Sequence, residues 1–458
     1  MKKSRLAAAF LASSLLVTGL AVAAPAEATT TNVVVWLPFG SDAATALWQA
    51  AADRVEANNP GITVEIHNNK DMAQSLAAIN AGNGPDISMS NGFGNVGWFC
   101  GSGAWKNLNV LIQGPNGLNL NKTFTRAATS GTIAGGKRCA MPFSSEIFGF
   151  YYNKSQLKAA GFKKPPTTTD ELTTMAKKLT KFNSAGEITR AGYILWSGYM
   201  DNGMASMYLG QMFGAKYYDP LGKASSFYTD KRWTKAFNWQ KKFIADVYGH
   251  GDFAKGSRLV RNFINHMGDE WGGTTNDFIT GRVSMISSAD WMTPLFCSGD
   301  DWALNPCDHP KVNFGAAGNP VDPSIKKTHY GSGVAGANAL GISRGTTKTA
   351  AAWIVLKGLV TDRRLAIDWA NMYGDPSHLK SARTAGAGVS YPARYAPFYD
   401  ISNHPLSGYH VLANAGEHLD EEYLQQLLAA WQTGNTVDIK RALQETASRV
   451  NQVLARNA

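Results

Sequence analysis

The side chains able to do chemistry in this chain are flat rings and the hydrogen-bonding groups beside them. There are 13 Trp and 16 Tyr residues, and most of them must serve the core, so position has to select the others. Asp290-Trp291 sets a carboxylate next to an indole. Such a pair can take the edge and the face of one polyhydroxylated ring, because C–H faces stack on aromatic rings while hydroxyls need acceptors and donors. Trp196 ends the apolar run Tyr193-Ile194-Leu195, and Trp271 sits in Glu270-Trp271-Gly272-Gly273, where the glycines leave room for close backbone approach. This is a chemistry of holding. The alternative, bond cleavage by a secreted glycoside hydrolase, needs two carboxylates about 5–10 Å apart. Glu146 and Asp290 are the pair available for that, and no nucleophile motif accompanies them. No C-x-x-C spacing exists, His309 stands isolated beside Cys307, and His404, His410 and His418 have neither helical nor zinc-finger spacing, so no metal site is expected. No complete G-x-x-x-x-G-K-[ST] phosphate loop is present, since Arg138 follows the spacing at Gly131–Lys137, and neither a nucleotide nor any other cofactor is expected.

These residues need elements to position them. Val33-Val34-Val35-Trp36-Leu37 reads as a strand buried on both faces, with Trp36 in the core. Leu47, Ala51 and Val55 repeat at helical spacing, and Ile62, Val64 and Ile66 alternate as a strand. Met72, Leu76 and Ile79 are helical again, and Asp86-Ile87-Ser88-Met89 is a third strand. That alternation predicts a parallel α/β sheet, whose ligands sit beyond the carboxyl ends of the strands. Phe39 and Asp42 lie beyond the first strand and Asn91 beyond the third, which makes them candidate ligand contacts. A second unit starts after Met141-Pro142 with a strand over Phe148 to Tyr152. Thr168 and Glu171 form a capping box ahead of Leu172, Met175, Ala176 and Leu179. Tyr193–Trp196 and Val283–Ile286 read as strands, and Trp233 to Ile244 as a long helix. Helices follow around Trp353 and Trp369, and the tail from Ile439 to Leu454 is a last amphipathic helix.

Composition bounds the class. The chain has 458 residues, 44% apolar and 17% charged, which excludes disorder and calls for more than one lobe. The one run long enough to enter a bilayer is Leu6 to Ala24. Lys2, Lys3 and Arg5 precede it and Ala26-Glu27-Ala28 follows, the pattern of a cleaved signal peptide over residues 1–28. An uncleaved anchor helix is the rival reading, opposed by the short, Ala-rich run and by Pro25. With no Cys among the first 99 residues there is no lipid acceptor, so a periplasmic or secreted protein free of the membrane is expected. The net charge of +10 falls to about +8 once Lys2, Lys3, Arg5 and Glu27 leave. It is spread along the chain without a basic block, which argues against nucleic acid. Cys100, Cys139, Cys297 and Cys307 form an even set suited to an oxidising compartment. The expected pairs are Cys100–Cys139 and Cys297–Cys307, the second closing a turn at Asn305-Pro306; four buried thiols are the alternative.

The run Met141-Pro142-Phe143-Ser144-Ser145-Glu146-Ile147-Phe148-Gly149-Phe150-Tyr151-Tyr152-Asn153-Lys154, followed by Pro165-Pro166-Thr167-Thr168 and Asp170-Glu171-Leu172, resembles the carbohydrate-binding branch of the extracellular solute-binding proteins of ABC importers, the maltose-binding-protein-like family. Gly84-Pro85-Asp86-Ile87, Asp277 through Met285 and Gly336-Ala337-Asn338-Ala339-Leu340-Gly341-Ile342-Ser343 are similar to further family stretches in order and spacing. The likeness runs from about Trp36 to Trp369 and fades after Tyr373. It implies two α/β lobes joined by a hinge, a periplasmic-binding-protein-like fold of class II type. The first lobe would hold residues 29–141 and about 320–375, the second 142–319 and about 376–458. Chain crossings are expected near Pro142–Ser145, Gly315–Pro320 and Asp375–Arg383. The implied ligand is a carbohydrate or polyol held by a monomer and passed to ABC permease subunits.

By the resemblance, Glu146 matches a carboxylate that accepts from sugar hydroxyls, and Trp291 matches a stacking Trp. Tyr330 and Ser332, ahead of the Gly-rich strand, and Arg394 in Tyr391-Pro392-Ala393-Arg394 complete the candidates. A non-sugar solute is the runner-up. Tyr151-Tyr152 is like the adjacent tyrosines of ferric-ion binders, and a polyamine would want clustered acids. A lectin-like adhesion role would need no transporter.

Overall fold

The computed structural model describes residues 30–456 except 93, 200–203, 220–222, 302–303, 305–306, 385 and 409–417. The expected leader over 1–28, the turn expected at Asn305-Pro306, His410 and the side chain of His418 lie outside the described residues.

Eleven strands are named in chain order. They are β1 Thr31–Trp36, β2 Ile62–His67, β3 Ile87–Ser90, β4 Ile133–Ala134, β5 Lys137–Arg138, β6 Ala140–Asn153, β7 Lys181–Phe182, β8 Ile188–Arg190, β9 Met285–Ala289, β10 Phe314–Ala317 and β11 Ala335–Ile342. The main sheet has the order β10-β6-β11-β3-β1-β2, and off this path β9 pairs antiparallel with β6 over Phe148–Tyr152. β1 pairs in parallel with β2 and β3, as the strand–helix alternation predicts. β11 enters antiparallel between β3 and β6. Gly341 in β11 lies under Trp105: a Cβ there would stand 2.1 Å from the indole, whose Nε1–H donates to Ser88 at 2.9 Å.

Two large cores divide this sheet. One gathers Val33, Val35, Trp48, Phe143, Leu340, Trp353 and Trp369; the other gathers Ile147, Phe150, Tyr151, Tyr193, Trp233, Phe237 and Trp431. β6, 14 residues long, therefore leaves the first core after Phe143 and enters the second at Ile147. The return differs from the expectation at Gly315–Pro320. β10 lies wholly against the second core, and β11 makes the passage, with Ala335 in the second core and Leu340 in the first. Leu379 and Ala382 still pack in the first core and Tyr395 in the second, so the third passage runs later than Asp375–Arg383. The mixed α/β architecture is two-lobed.

Local chemistry explains the elements. Thr168 and Glu171 form the full capping box ahead of helix Thr169–Leu179. The helix Lys231–Tyr248 buries Trp233, Phe237, Phe243 and Ile244 on one stripe. Two further sequence expectations, each about a local segment, fail. Trp36 is half-buried, because β1 alternates: Val33 and Val35 face the core, while Trp36 turns to a face covered by Lys70, 5.1 Å from its ring. Tyr193–Trp196 forms no strand; one bridge, Ala191 to Val283, precedes it, and side chains then hold the segment, with Gln240 and Gln432 both donating to the Leu195 carbonyl at 2.9 Å. Both expected disulfides are present, Cys100–Cys139 and Cys297–Cys307.

Candidate ligand-binding cleft

The crossing segment of β6 is where the candidate residues converge. Glu146 is half-buried in a stretch otherwise buried from Ala140 to Tyr151, so its side chain is the one polar group that this stretch leaves accessible. Two residues earlier Ser144 adopts φ 54°, a left-handed conformation that a non-glycine residue keeps only when its surroundings hold it. Here they do. Its N–H donates to His378 Nδ1 at 3.0 Å, and its hydroxyl accepts from Asn338 Nδ2 at 2.9 Å and bonds Asp375. His378 Nε2 faces the Val360 carbonyl at 2.8 Å, so the ring is a neutral Nε2–H tautomer, and burial pushes its pKa down to about 4.

Each strand end reaches this segment. At the end of β3, the Gly92 N–H donates to Asn338 Oδ1 at 2.9 Å, which sets the exposed Asn91 beside the crossing. After β1, Phe39 is half-buried with its ring 4.7 Å from Trp369, whose Nε1–H donates to Asp375 at 2.7 Å. Asp42 is exposed as the first residue of helix Asp42–Ala57, next to the capping Ser41, which contacts the Tyr373 hydroxyl at 2.9 Å. At the end of β9, Asp290 N–H donates to the Ile147 carbonyl at 2.9 Å, and Ile147 N–H donates back to Asp290 Oδ2 at 3.1 Å.

Asp290 differs from its expected part as an open acceptor. It is 0% exposed, and its other oxygen accepts from the Trp291 N–H at 3.0 Å. Burial, then the charges of Asp375 and Glu146, push its carboxyl well above the usual range. Asp375, also buried, is pushed up to about 7 by burial, against the opposing hydrogen bonds from Trp369 and Ser144. A raised carboxyl near a second carboxylate is the signature sought for a hydrolase, but an acid sealed from solvent cannot reach a substrate's leaving group. Asp290 instead fixes Trp291 against β6.

Trp291 is half-buried and meets Phe148 edge to face, with centroids 5.2 Å apart at 89°. Phe148 touches Tyr208 at 6.0 Å, and Tyr208 shares with Trp196 the wall of a cavity of about 10 Å³. Trp196, 5% exposed, thus backs the ring series and offers little face of its own. Ser332 is buried next to this series: its carbonyl accepts from Gln211 Nε2 at 2.9 Å, while its hydroxyl bonds the His329 carbonyl.

Three candidates lie elsewhere. Trp271 is 42% exposed on a loop pinned by the Gly273 N–H bond to Asp300. Tyr330 faces Tyr152 and Glu171, and burial raises its hydroxyl's pKa. Arg394 lies over Phe314 at 5.1 Å and lines a pocket of about 390 Å³ with Lys154, Asp308 and Tyr391. Sequence reasoning missed Ser144, Asn338, Asp375 and His378, the polar girdle of the crossing; the signal available was the polar type of Ser144 and Asn338 inside apolar runs, while Asp375 and His378 in Tyr373-Gly374-Asp375-Pro376-Ser377-His378 carried none. Among the described residues no group of three or more His, Cys, Asp or Glu could hold a metal ion, and no helix is long and apolar enough to cross a membrane.

Comparison with known proteins supplies the family. The profile described as bacterial extracellular solute-binding protein matches residues 50–396. Among solved structures, CpMnBP1 with mannotriose bound is 20% identical, with a TM-score of 0.68 over 92% of this chain and 100% of that one. The cyclic alpha-maltosyl-1,6-maltose binding protein from Arthrobacter globiformis is 18% identical, with a TM-score of 0.69 over 93% of this chain and 100% of that one. The sugar-binding protein MalE from Xanthomonas citri is 16% identical, with a TM-score of 0.69 over 93% and 98%. At these identities the likeness is one of fold, and these relatives are binding proteins. With its profile match spanning most of its length and its strands passing twice between two cores, this chain belongs to the bacterial extracellular solute-binding proteins.

Proposed function

We propose that the protein is the substrate-binding subunit of an ABC sugar importer, capturing a carbohydrate or polyol between its lobes and delivering it to the membrane permease. The observation that carries this reading is the meeting of an accessible carboxylate and an aromatic series on one crossing segment: Glu146 on β6, with Trp291 packed on Phe148 beside it. Trp291 offers a ring to the C–H face of a sugar and Glu146 an acceptor to its hydroxyls. Phe39, Asp42 and Asn91 contribute from the first-lobe strand ends. Asp290, Trp196 and Ser332 support from behind. Sugars bound to the fold relatives favour the same ligand class.

The two cores favour lobes of about 30–143 with 338–382, and of about 147–335 with 395–456. Lobe closure then follows from differential affinity, since a ligand that binds open and closed forms equally shifts nothing. The protein is exported by its leader, works as a monomer in the periplasm or medium without a cofactor, and releases its ligand intact; energy for transport comes from other subunits.

A thermal-shift screen over common sugars and polyols tests this. A true ligand at 100 times its dissociation constant adds about 2.7 kcal/mol to the stability of the folded state. A melting point unmoved by every sugar, or new reducing ends after incubation with oligosaccharides, would refute the reading.

A further inference from the structure

We infer that the outer face of the second lobe carries a separate, shallow site for a neutral glycan chain. The terminal helix Ile439–Arg456 is charged over much of its surface, with Lys440, Arg441, Glu445 and Arg449 exposed. One stripe is not. Gln444, Ala447, Ser448, Asn451, Gln452 and Ala455 recur at helical spacing and, together with Ser225, Tyr228 and Thr229, line a groove of about 450 Å³ with no charged side chain among the described residues that line it. That volume falls within the roughly 300–1,000 Å³ of ordinary small-ligand sites.

The groove is built in advance. Asn451 Oδ1 accepts from the Ser225 N–H at 2.7 Å, tying the loop to the helix. Two further backbone bonds fix the loop, Ser226 N–H to the Tyr217 carbonyl and Asp230 N–H to the Ser226 carbonyl, both 2.8 Å. Phe227 is fully buried 5.4 Å from Trp233, so the next residue, Tyr228, is held outward with 49% of its surface exposed. An exposed ring beside small residues accepts the C–H face of a sugar, and the primary amides of Gln444 and Gln452 offer both donors and acceptors to its hydroxyls. The absence of charge disfavours acidic or basic partners, which would leave their ionic groups unpaired in the groove. The amides that interrupt the apolar surface disfavour a lipid tail. The occupant is a neutral polysaccharide, held on the outside while the cleft stays free.

The test is native electrophoresis toward the cathode through gels containing soluble mannan, soluble starch or xylan. The full-length mature protein is expected to be slowed by at least one of them. Trp291→Ala is expected to be slowed equally, whereas Tyr228→Ala and Ser448→Arg, both at exposed positions, lose the retardation. Ser448→Arg decides the matter should Tyr228→Ala fold poorly. Migration unaffected by all three polysaccharides, or retardation retained in the groove variants, overturns the site. Retardation lost in Trp291→Ala alone would assign polymer binding to the cleft and also overturn it. The importer reading is judged separately, by thermal shift with small sugars, and survives either result.

Discussion

Asp375→Asn probes the polar girdle of the crossing. The carboxyl is buried and accepts from Trp369 Nε1 and Ser144, and burial pushes its pKa up to about 7 from a reference of 3.8. Its folded pKa is raised, so between about pH 4 and pH 7 the folded protein holds a proton that the unfolded chain has released. Stability therefore falls as pH rises through that window and levels off above it. Three pH units at about 1.4 kcal/mol each give a penalty of roughly 4 kcal/mol at pH 8 that is absent near pH 4. Asn keeps the acceptor for Trp369 but not both acceptors, at a cost of about 1 kcal/mol at every pH. The variant should be about 1 kcal/mol less stable than the parent at pH 4 and about 3 kcal/mol more stable at pH 8. His378, held neutral with a pKa of about 4, contributes the opposite slope, its stabilisation being lost as pH falls from its unfolded value of 6.5 through about 4. It is common to both proteins and cancels in the difference, whereas Asp290, whose pKa burial and then the Asp375 charge raise, is relieved of that charge in the variant and widens the gap in the same direction at high pH. Urea unfolding followed by Trp fluorescence at pH 4.5, 6 and 8 measures that difference. A gap that stays constant, or one that turns against the variant as pH rises, would refute the assignment of Asp375 as a neutral buried acid.

Four further outcomes are expected. Trp291→Ala should lose most ligand affinity through lost stacking, and unchanged affinity by calorimetry would remove Trp291 from the site. Glu146→Gln should weaken binding by about 1–3 kcal/mol, the range for hydrogen bonds to charged groups; an unaltered dissociation constant would place Glu146 outside the cleft. Breaking Cys297–Cys307, separated by 10 residues, should cost about 3 kcal/mol, and breaking Cys100–Cys139, separated by 39, about 4 kcal/mol, read as denaturant midpoints of Cys→Ser pairs. Gly341→Ala should lower stability by about 1–3 kcal/mol, because Trp105 occupies the space of the new methyl group; a variant as stable as the parent would mean that the indole moves freely.

Local signals were legible because their physics is local. The capping box at Thr168 and Glu171, the strand Ile62–His67 and the helix Lys231–Tyr248 are each written within a few turns of chain. That the four cysteines form disulfides was legible from count and compartment; which of them pair is decided by the fold. Trp36 was misread because an apolar run does not say which of its faces meets the core; Lys70 and the neighbouring strands decide that. Tyr193–Trp196 was misread because β-rich composition cannot supply the missing ladder, and Gln240 and Gln432 take its place.

By itself, the sequence determined the alternation of strands and helices, and which short segments could present a ring or a carboxylate. Periodicity, caps and turns act between residues a few positions apart, so one dimension carries them. Only the tertiary structure decided that Asp290 is sealed against Ile147, that Asp375 faces it with a raised pKa, and that Ser144 is held left-handed by His378, which lies 234 residues away. Those properties come from desolvation and from partners far along the chain. A carboxylate reads the same in sequence whether water surrounds it or a strand closes over it.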